Sequence, residues 1–240
     1  MELAALIPTL LDLVYPRECA GCGVTAGREA SHFCWDCLAG FEYITDRFCS
    51  LCGDPVEGMV EHQFKCSACC DRPPHFDMAR SAARYRGQLK QALHRFKYGN
   101  ATHVSVDLVP LLMGCVRAHY ARAPLDAVSY VPLYPRKERE RTYNQAALLA
   151  GGLARALDLP LLGNALRRVR SPDTQTRLTA NERRKNIRGA FTAENPKWLD
   201  GRSLLLVDDV MTTGATVDEA AKVLKKGGAH KVYVVTVARG

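Results

Sequence analysis

The hydrophobic pattern divides the chain into two unlike parts. From Met78 onward, short aliphatic runs alternate with stretches of helical spacing. "MARSAARYRG" predicts an opening strand or a hairpin arm, and "QLKQALHRFKYGN" a helix ending at Gly99. A longer helix is expected from about Thr102 to Ala121, with Pro110 as a kink or break. "LDAVSYVPL" predicts a strand running into Pro132, "NQAALLAGGLARALDL" a helix, and "LLLVDD" a second buried strand. "TVDEAAKVLKKGGA" is a helix with a Lys-Lys-Gly-Gly stop signal, and "KVYVVTVA" closes the sheet. The expected fold class is α/β, a parallel sheet flanked by helices and preceded by a small cysteine-rich unit. Such a sheet binds ligands beyond the carboxyl ends of its strands.

Upstream of Pro73-Pro74 the periodicity disappears and cysteine takes over. All but one of the ten cysteines lie between Cys19 and Cys70, which sets an expected organisation of 1–17, 18–73 and 74–240. The first segment, "MELAALIPTLLDLVYP", is apolar but carries Glu2 and Asp12 and is broken by Pro8. It reads as a short amphipathic helix, neither a signal peptide nor a membrane span. A cytoplasmic setting is therefore expected, where thiols stay reduced and clustered cysteines bind metal.

Four pairs share one spacing: Cys19 with Cys22, Cys34 with Cys37, Cys49 with Cys52, and Cys66 with Cys69. Two such turns complete a tetrahedral four-thiolate zinc site. The interval from Cys19 to Cys49 equals that from Cys22 to Cys52, and Cys34 to Cys66 equals Cys37 to Cys69, so one unit is written twice. In each copy a glycine (Gly23, Gly53) follows the first pair, where positive φ would turn backbone N–H groups toward sulfur. That asymmetry favours consecutive pairing and two structural zinc ions. Redox chemistry is the rival for a single pair but does not account for four. Cys70, His32, His62 and His75 read as surface spectators, and Cys115 as a core residue.

The net charge of +8 is concentrated in Arg80 to Lys97, Arg136 to Arg141 and Arg167 to Arg188, so anionic partners are expected. "LLLVDDVMTTGAT" explains where one of them would sit. A buried strand delivers Asp208 and Asp209, and Met211, Thr212, Thr213, Gly214, Ala215 and Thr216 turn into the next helix. Hydroxyls, a close backbone approach and a helix N-terminus together suit a phosphate, and the acids suit the vicinal hydroxyls of an attached sugar. This stretch resembles the phosphoribosyl pyrophosphate (PRPP) loop of type I phosphoribosyltransferases. The resemblance implies Asp208 and Asp209 on the ribose hydroxyls, Met211 to Thr216 on the 5-phosphate, and magnesium carried with PRPP. It also implies a pyrophosphate loop after an earlier strand, here with Arg136, Lys137, Arg139 and Arg141 as candidates. No general base stands out. The segment "RVRSPDTQTRLTANERRKNIRGAF" is too long and charged for a core element, and residues 167–188 either close over PRPP or bind nucleic acid.

The order of double cysteine ribbon, "FKYGN", "VPLYPRKERERTYNQ", "DTQTRLTANERRKNIRGAF" and "LLLVDDVMTTGAT" resembles the ComF family of bacterial DNA uptake and natural transformation across nearly the whole chain. One departure is Thr142-Tyr143, where the family usually has Gly-Phe; the added side chains are expected to stiffen that loop. The resemblance implies a possible competence helicase or uptake-channel partner. Relatives are often labelled amidophosphoribosyltransferases, but this chain begins Met-Glu-Leu, so glutamine-dependent chemistry is not expected of it. Two functions compete: a phosphoribosyltransferase acting on PRPP, and a non-catalytic scaffold binding single-stranded DNA. For the second, Tyr85, Phe96, Tyr98, Tyr134 and Tyr143, interleaved with Arg and Lys, would serve as stacking platforms.

Overall fold

The computed structural model describes residues 18–25, 31–58, 64–170 and 180–240; the expected N-terminal helix and His62 lie outside the described residues. The cysteine segment carries two single-turn helices, α1 (Trp35–Ala39) and α2 (Ser67–Asp71). There follow β1 (Met78–Arg84), α3 (Gly87–Tyr98), a 3₁₀ turn at Thr102–Val104 and α4 (Ser105–His119). The chain continues with β2 (Ala127–Tyr130), α5 (Pro135–Arg141), α6 (Gln145–Leu157) and β3 (Leu166–Arg168). Next come α7 (Ala180–Ile187), β4 (Phe191–Ala193), a 3₁₀ turn at Pro196–Trp198, β5 (Ser203–Met211), α8 (Ala215–Lys226) and β6 (Lys231–Arg239).

Four strands form one all-parallel sheet in the order β1-β6-β5-β2. The opening segment is thus a parallel edge strand rather than a hairpin arm. Alternation sorts the central strands between two faces. Leu205, Val207, Tyr233, Val235 and Val237 pack with residues of α3, α4 and α6, such as Leu93, Leu108 and Leu149. Leu204, Leu206, Val232 and Val234 pack with α8 through Val217, Ala220 and Leu224. Burial on both sides is why these strands read as continuous aliphatic runs. Pro110 does not break α4. The carbonyl it leaves without a helical donor belongs to Val106, whose side chain is exposed, so water can serve it.

The cysteine segment is built into the sheet rather than hung from it. Along the outer edge of β1, Ala79 N donates to Leu51 O at 2.8 Å, Ile44 N to Ala82 O at 3.0 Å, and Arg84 N to Glu42 O at 2.8 Å. Those bonds occupy an edge that would otherwise template pairing with another chain. The two ribbons then part. Cys19, Phe33, Cys37 and Phe41 join the apolar cluster of the α3–α4–α6 face, whereas Cys49, Cys52, Cys69 and Phe76 join that of the α8 face.

The charged segment after β3 departs from expectation. It is not all surface: β3 and β4 form an antiparallel pair, and Ile187, Ala190 and Phe191 are buried against α8's side of the sheet. Residues 171–179 lie outside the described residues.

Candidate functional site

The two cysteine tetrads form as the spacing predicts, Cys19, Cys22, Cys34 and Cys37 in one and Cys49, Cys52, Cys66 and Cys69 in the other. In each, all four sulfurs lie within 4.8 Å of one another. The pairs Cys22–Cys34 and Cys52–Cys66 stand 3.8 Å and 3.7 Å apart. A tetrahedral zinc ion with bonds of about 2.3 Å needs sulfurs about 3.8 Å apart, so both sets fit zinc. Gly23 and Gly53 have positive φ as expected, but their N–H groups donate to the carbonyls of Cys19 and Cys49, each at 2.9 Å. The sulfurs are served by other donors, Cys34 N to Cys19 Sγ and Cys66 N to Cys49 Sγ, both at 3.3 Å. Burial pushes the Cys19 thiol up, yet the N–H groups of Cys22, Cys34 and Gly21 outweigh it and bring it down to about 6.

His32 and His75 are not spectators, although neither completes a tetrad. His32 Nδ1 lies 2.7 Å from Asp107 Oδ2 of α4, and His75 Nδ1 3.0 Å from Asp218 Oδ1 of α8. They pin the cysteine segment to the helices. Cys70 is exposed and outside the tetrad, and Cys115 is buried, its thiol pushed up to about 12 mainly by burial.

At the carboxyl end of β5 a cavity of about 180 Å³ opens, lined by Asp208, Val210, Met211 to Val217, Arg168, Asn186 and Ile187. Its floor is the turn into α8. Gly214 has φ 75°, which favours glycine; a Cβ there would meet only Met211 Cε, at 2.7 Å, the movable end of a flexible side chain. Thr213 Oγ1 accepts from Ala215 N at 3.4 Å, and the N-cap residue, Gly214, has no side chain to cap the next N–H groups, so the dipole of α8 is directed at the turn.

The adjacent acids have separate surroundings, because successive side chains of a strand point to opposite faces. Asp208 lines the cavity; Asp209, 7% exposed, turns to the other face, where Lys97 Nζ of α3 approaches its Oδ1 at 2.9 Å. Burial and then the Asp209 carboxylate push Asp208 up to about 7, against the pull of Lys97 and Arg168. Burial disfavours the Lys97 ammonium, but the two carboxylates offset this and hold it above the usual lysine range.

None of the four expected basic residues lines the cavity. They lie on a helix, not a loop: Pro135 occupies a first-turn position and Arg136 Nε pairs with Glu140 Oε1 at 2.9 Å, one turn on. Arg136 and Arg139 are exposed. Arg141 Nη1 donates to Gln145 Oε1 at 3.1 Å, and the guanidinium lies 4.8 Å from the Tyr98 ring centre. Lys137 is held below its ordinary range by burial and by the Arg141 and Arg168 cations, so the three charges act on one another. The Thr142 departure has a structural meaning. Thr142 sits at φ 67°, a left-handed conformation that glycine adopts freely and a β-branched residue adopts under strain. Tyr143 OH donates to Phe96 O, tying the turn to α3.

The sequence points to the segment 167–188 without singling out Arg168, Asn186 and Ile187 in it, and gives no sign of the role of Lys97. Arg168 reaches the cavity from β3, its Nε buried without a partner and its guanidinium 5.4 Å from the Phe191 ring centre. Among the described residues no helix is long and apolar enough to cross a membrane.

Two family models match the chain. One describes a double zinc ribbon domain (residues 10–70) and the other a phosphoribosyl transferase domain (residues 144–240). Sheet, cavity and tetrads thus define a phosphoribosyltransferase-like domain joined to a double zinc ribbon. Competence protein F of Haemophilus influenzae is 36% identical over 197 residues, which is 80% of this chain and 84% of that protein. DNA utilization protein YhgH of Escherichia coli (strain K12) is 32% identical, over 81% of this chain and 86% of its own length. Competence protein ComFC of Bacillus subtilis is 29% identical, over 98% and 95%. The chain belongs to the ComF family. A solved glutamine PRPP amidotransferase from B. subtilis superposes on 57% of this chain and 26% of its own, with 20% identity and a TM-score of 0.38.

Proposed function

We propose that the cavity at the end of β5 binds a 5-phosphorylated ribose, with PRPP and its magnesium as the ligand. The observation that carries this reading is the enclosure of one carboxylate and a glycine turn at a helix N-terminus within a single cavity. In this reading Met211 to Thr216 hold the 5-phosphate and Asp208 accepts a hydrogen bond from a ribose hydroxyl. Asp209, on the opposite face and paired with Lys97, does not line the cavity, and its place on the neighbouring hydroxyl rests on the family resemblance alone. Lys137, Arg141 and Arg168 supply positive charge for the diphosphate. From the charged segment, Arg168, Asn186 and Ile187 form part of the cavity wall.

Transfer would break the bond from C1 to the diphosphate and form one to an incoming nucleophile, the electron pair leaving with pyrophosphate. That leaving group needs no general acid, so charge and positioning suffice. Relatives named for competence and DNA utilization set the biological frame, in which a sugar-phosphate site serves the handling of imported DNA or its nucleotides. Calorimetry with PRPP and Mg²⁺ against a double Asp208→Ala, Asp209→Ala variant tests binding. Base-dependent pyrophosphate release from the same samples tests turnover. A second reading, contact with single-stranded DNA, draws on Tyr98, 64% exposed beside the Arg141 guanidinium. Tyr98→Ala would weaken DNA binding in that case, and Asp209→Ala would leave it intact.

A further inference from the structure

The two ribbons are alike in sequence but differ in what they hold. The second one grips the phosphate-loop candidate at both ends. At its start, Met211 is the register partner of Arg239 on β6, and Gly240 N donates to Met211 O at 3.0 Å. Arg239 in turn reaches the ribbon, its Nε 2.9 Å from Asp54 Oδ1. Asp54 follows Cys52 by two residues, and its carbonyl accepts from Cys49 N at 2.9 Å, so its position is set by the metal-binding turn itself. At the loop's far end, Asp218 of α8's first turn accepts from His75 N at 2.6 Å and contacts His75 Nδ1 at 3.0 Å.

Between these two clamps lie Thr212 to Val217. Cys52, Cys66 and Cys69 share a cleft of about 400 Å³ with Met211 to Ala215, so the thiolates face the back of the turn. Arg239 is 7% exposed, with one guanidinium nitrogen buried and unpartnered. A cation so buried beside a tetrathiolate offsets its charge as well as joining Asp54. Among the described residues the first ribbon has no counterpart to this. Arg95 of α3 donates to the carbonyls of Cys19 (2.8 Å) and Ala20 (3.2 Å), and His32 bonds Asp107 of α4, both remote in sequence from the turn.

We infer that the second ribbon is the back wall of the sugar-phosphate site: zinc there fixes Asp54, Asp54 holds Arg239, and Arg239 sets the loop from Met211 to Thr216. Asp54 and Arg239 are positioning residues, and the first ribbon has no part in this. The inference goes beyond the proposed ligand, since it concerns the loop whatever the loop binds.

Asp54→Ala removes the strut without touching a cysteine, and Arg95→Ala removes the corresponding contact of the first ribbon. Both are to be prepared with two zinc ions per chain, verified by metal analysis. Hydrogen exchange is then followed in the peptide spanning Thr212 to Thr216. Asp54→Ala is expected to speed exchange there about tenfold, Asp54→Asn, which keeps an acceptor for Arg239, to stay near the parent, and Arg95→Ala to leave the loop unchanged. Unchanged exchange in Asp54→Ala, or an equal rise in Arg95→Ala, overturns the inference. Where PRPP binds the parent, Asp54→Ala should also weaken it about tenfold; failure of the parent to bind counts against the proposed ligand and leaves the exchange result standing as the test of the strut.

Discussion

The two faces of the central sheet meet at adjacent carboxylates and treat them in opposite ways. On the α3–α4–α6 face, Asp209 is buried against Lys97, the part-buried His32 pairs with Asp107, and the first ribbon packs into the same apolar cluster. On the α8 face, Asp208 opens to a cavity, and Arg168 and Arg239 each keep a buried nitrogen without a partner. Ion pairs tie the first face together as a scaffold, although the Nε of Arg80, in register with Val235 there, is also buried without a partner. On the other, Asp208 and the Arg168 Nε stand at the cavity, where a ligand would satisfy them, at a cost to the empty fold. The second ribbon belongs to this second face, so the duplicated zinc unit has been put to two uses.

The strongest way to break the comparison is to remove metal from each ribbon in turn. Cys69→Ala and Cys34→Ala should each lower zinc content from two ions to one by metal analysis and destabilise the chain by at least about 5 kcal/mol, because metal binding and ribbon folding are coupled. Only the former should also release the loop at Thr212 to Thr216. Next in size is the scaffold pair. Lys97→Met strands Asp209 as a buried charge and should cost about 3 kcal/mol in thermal or urea unfolding, most of it recovered when Asp209→Asn is added.

Asp208→Asn should act in the reverse sense. A carboxyl raised from its ordinary value to about 7 binds its proton more tightly folded than unfolded, so its ionisation lowers stability as pH rises from about 4 to about 7. Above that window the asparagine variant should be the more stable in urea unfolding, while binding ribose phosphates poorly. The parent's affinity for such ligands should rise between pH 6 and pH 8, a rise the variant lacks. The smallest effect is expected at Thr142. Glycine there relieves left-handed strain but loosens the unfolded chain, for a net gain of about 0.5 to 1 kcal/mol by urea unfolding.

The sequence made legible whatever is encoded by short spacing. Strands buried on both faces stand out as aliphatic runs, CxxC pairs as zinc turns, and the Asp-Asp-x-x-Thr-Thr-Gly stretch as a strand running into a turn. What it hid is long-range. Lys97 lies far from Asp209 in the chain, and Arg168 and Ile187 come from a segment whose charge disguised its buried positions. The helix at Pro135–Arg141 is within reach of the sequence, since Pro at its start and an Arg-Glu pair one turn apart are helix signals, but the resemblance to the transferases implies a loop there. The histidines were read as bystanders because their partners, Asp107 and Asp218, sit on distant helices.

The most direct measurement is a calorimetric titration of the zinc-loaded chain with PRPP and Mg²⁺ beside the double Asp208→Ala, Asp209→Ala variant. Saturable binding by the parent, weakened at least 100-fold or about 3 kcal/mol in the folded variant, is the result expected. A folded parent that takes up no PRPP, or a variant that binds it equally well, would contradict the account.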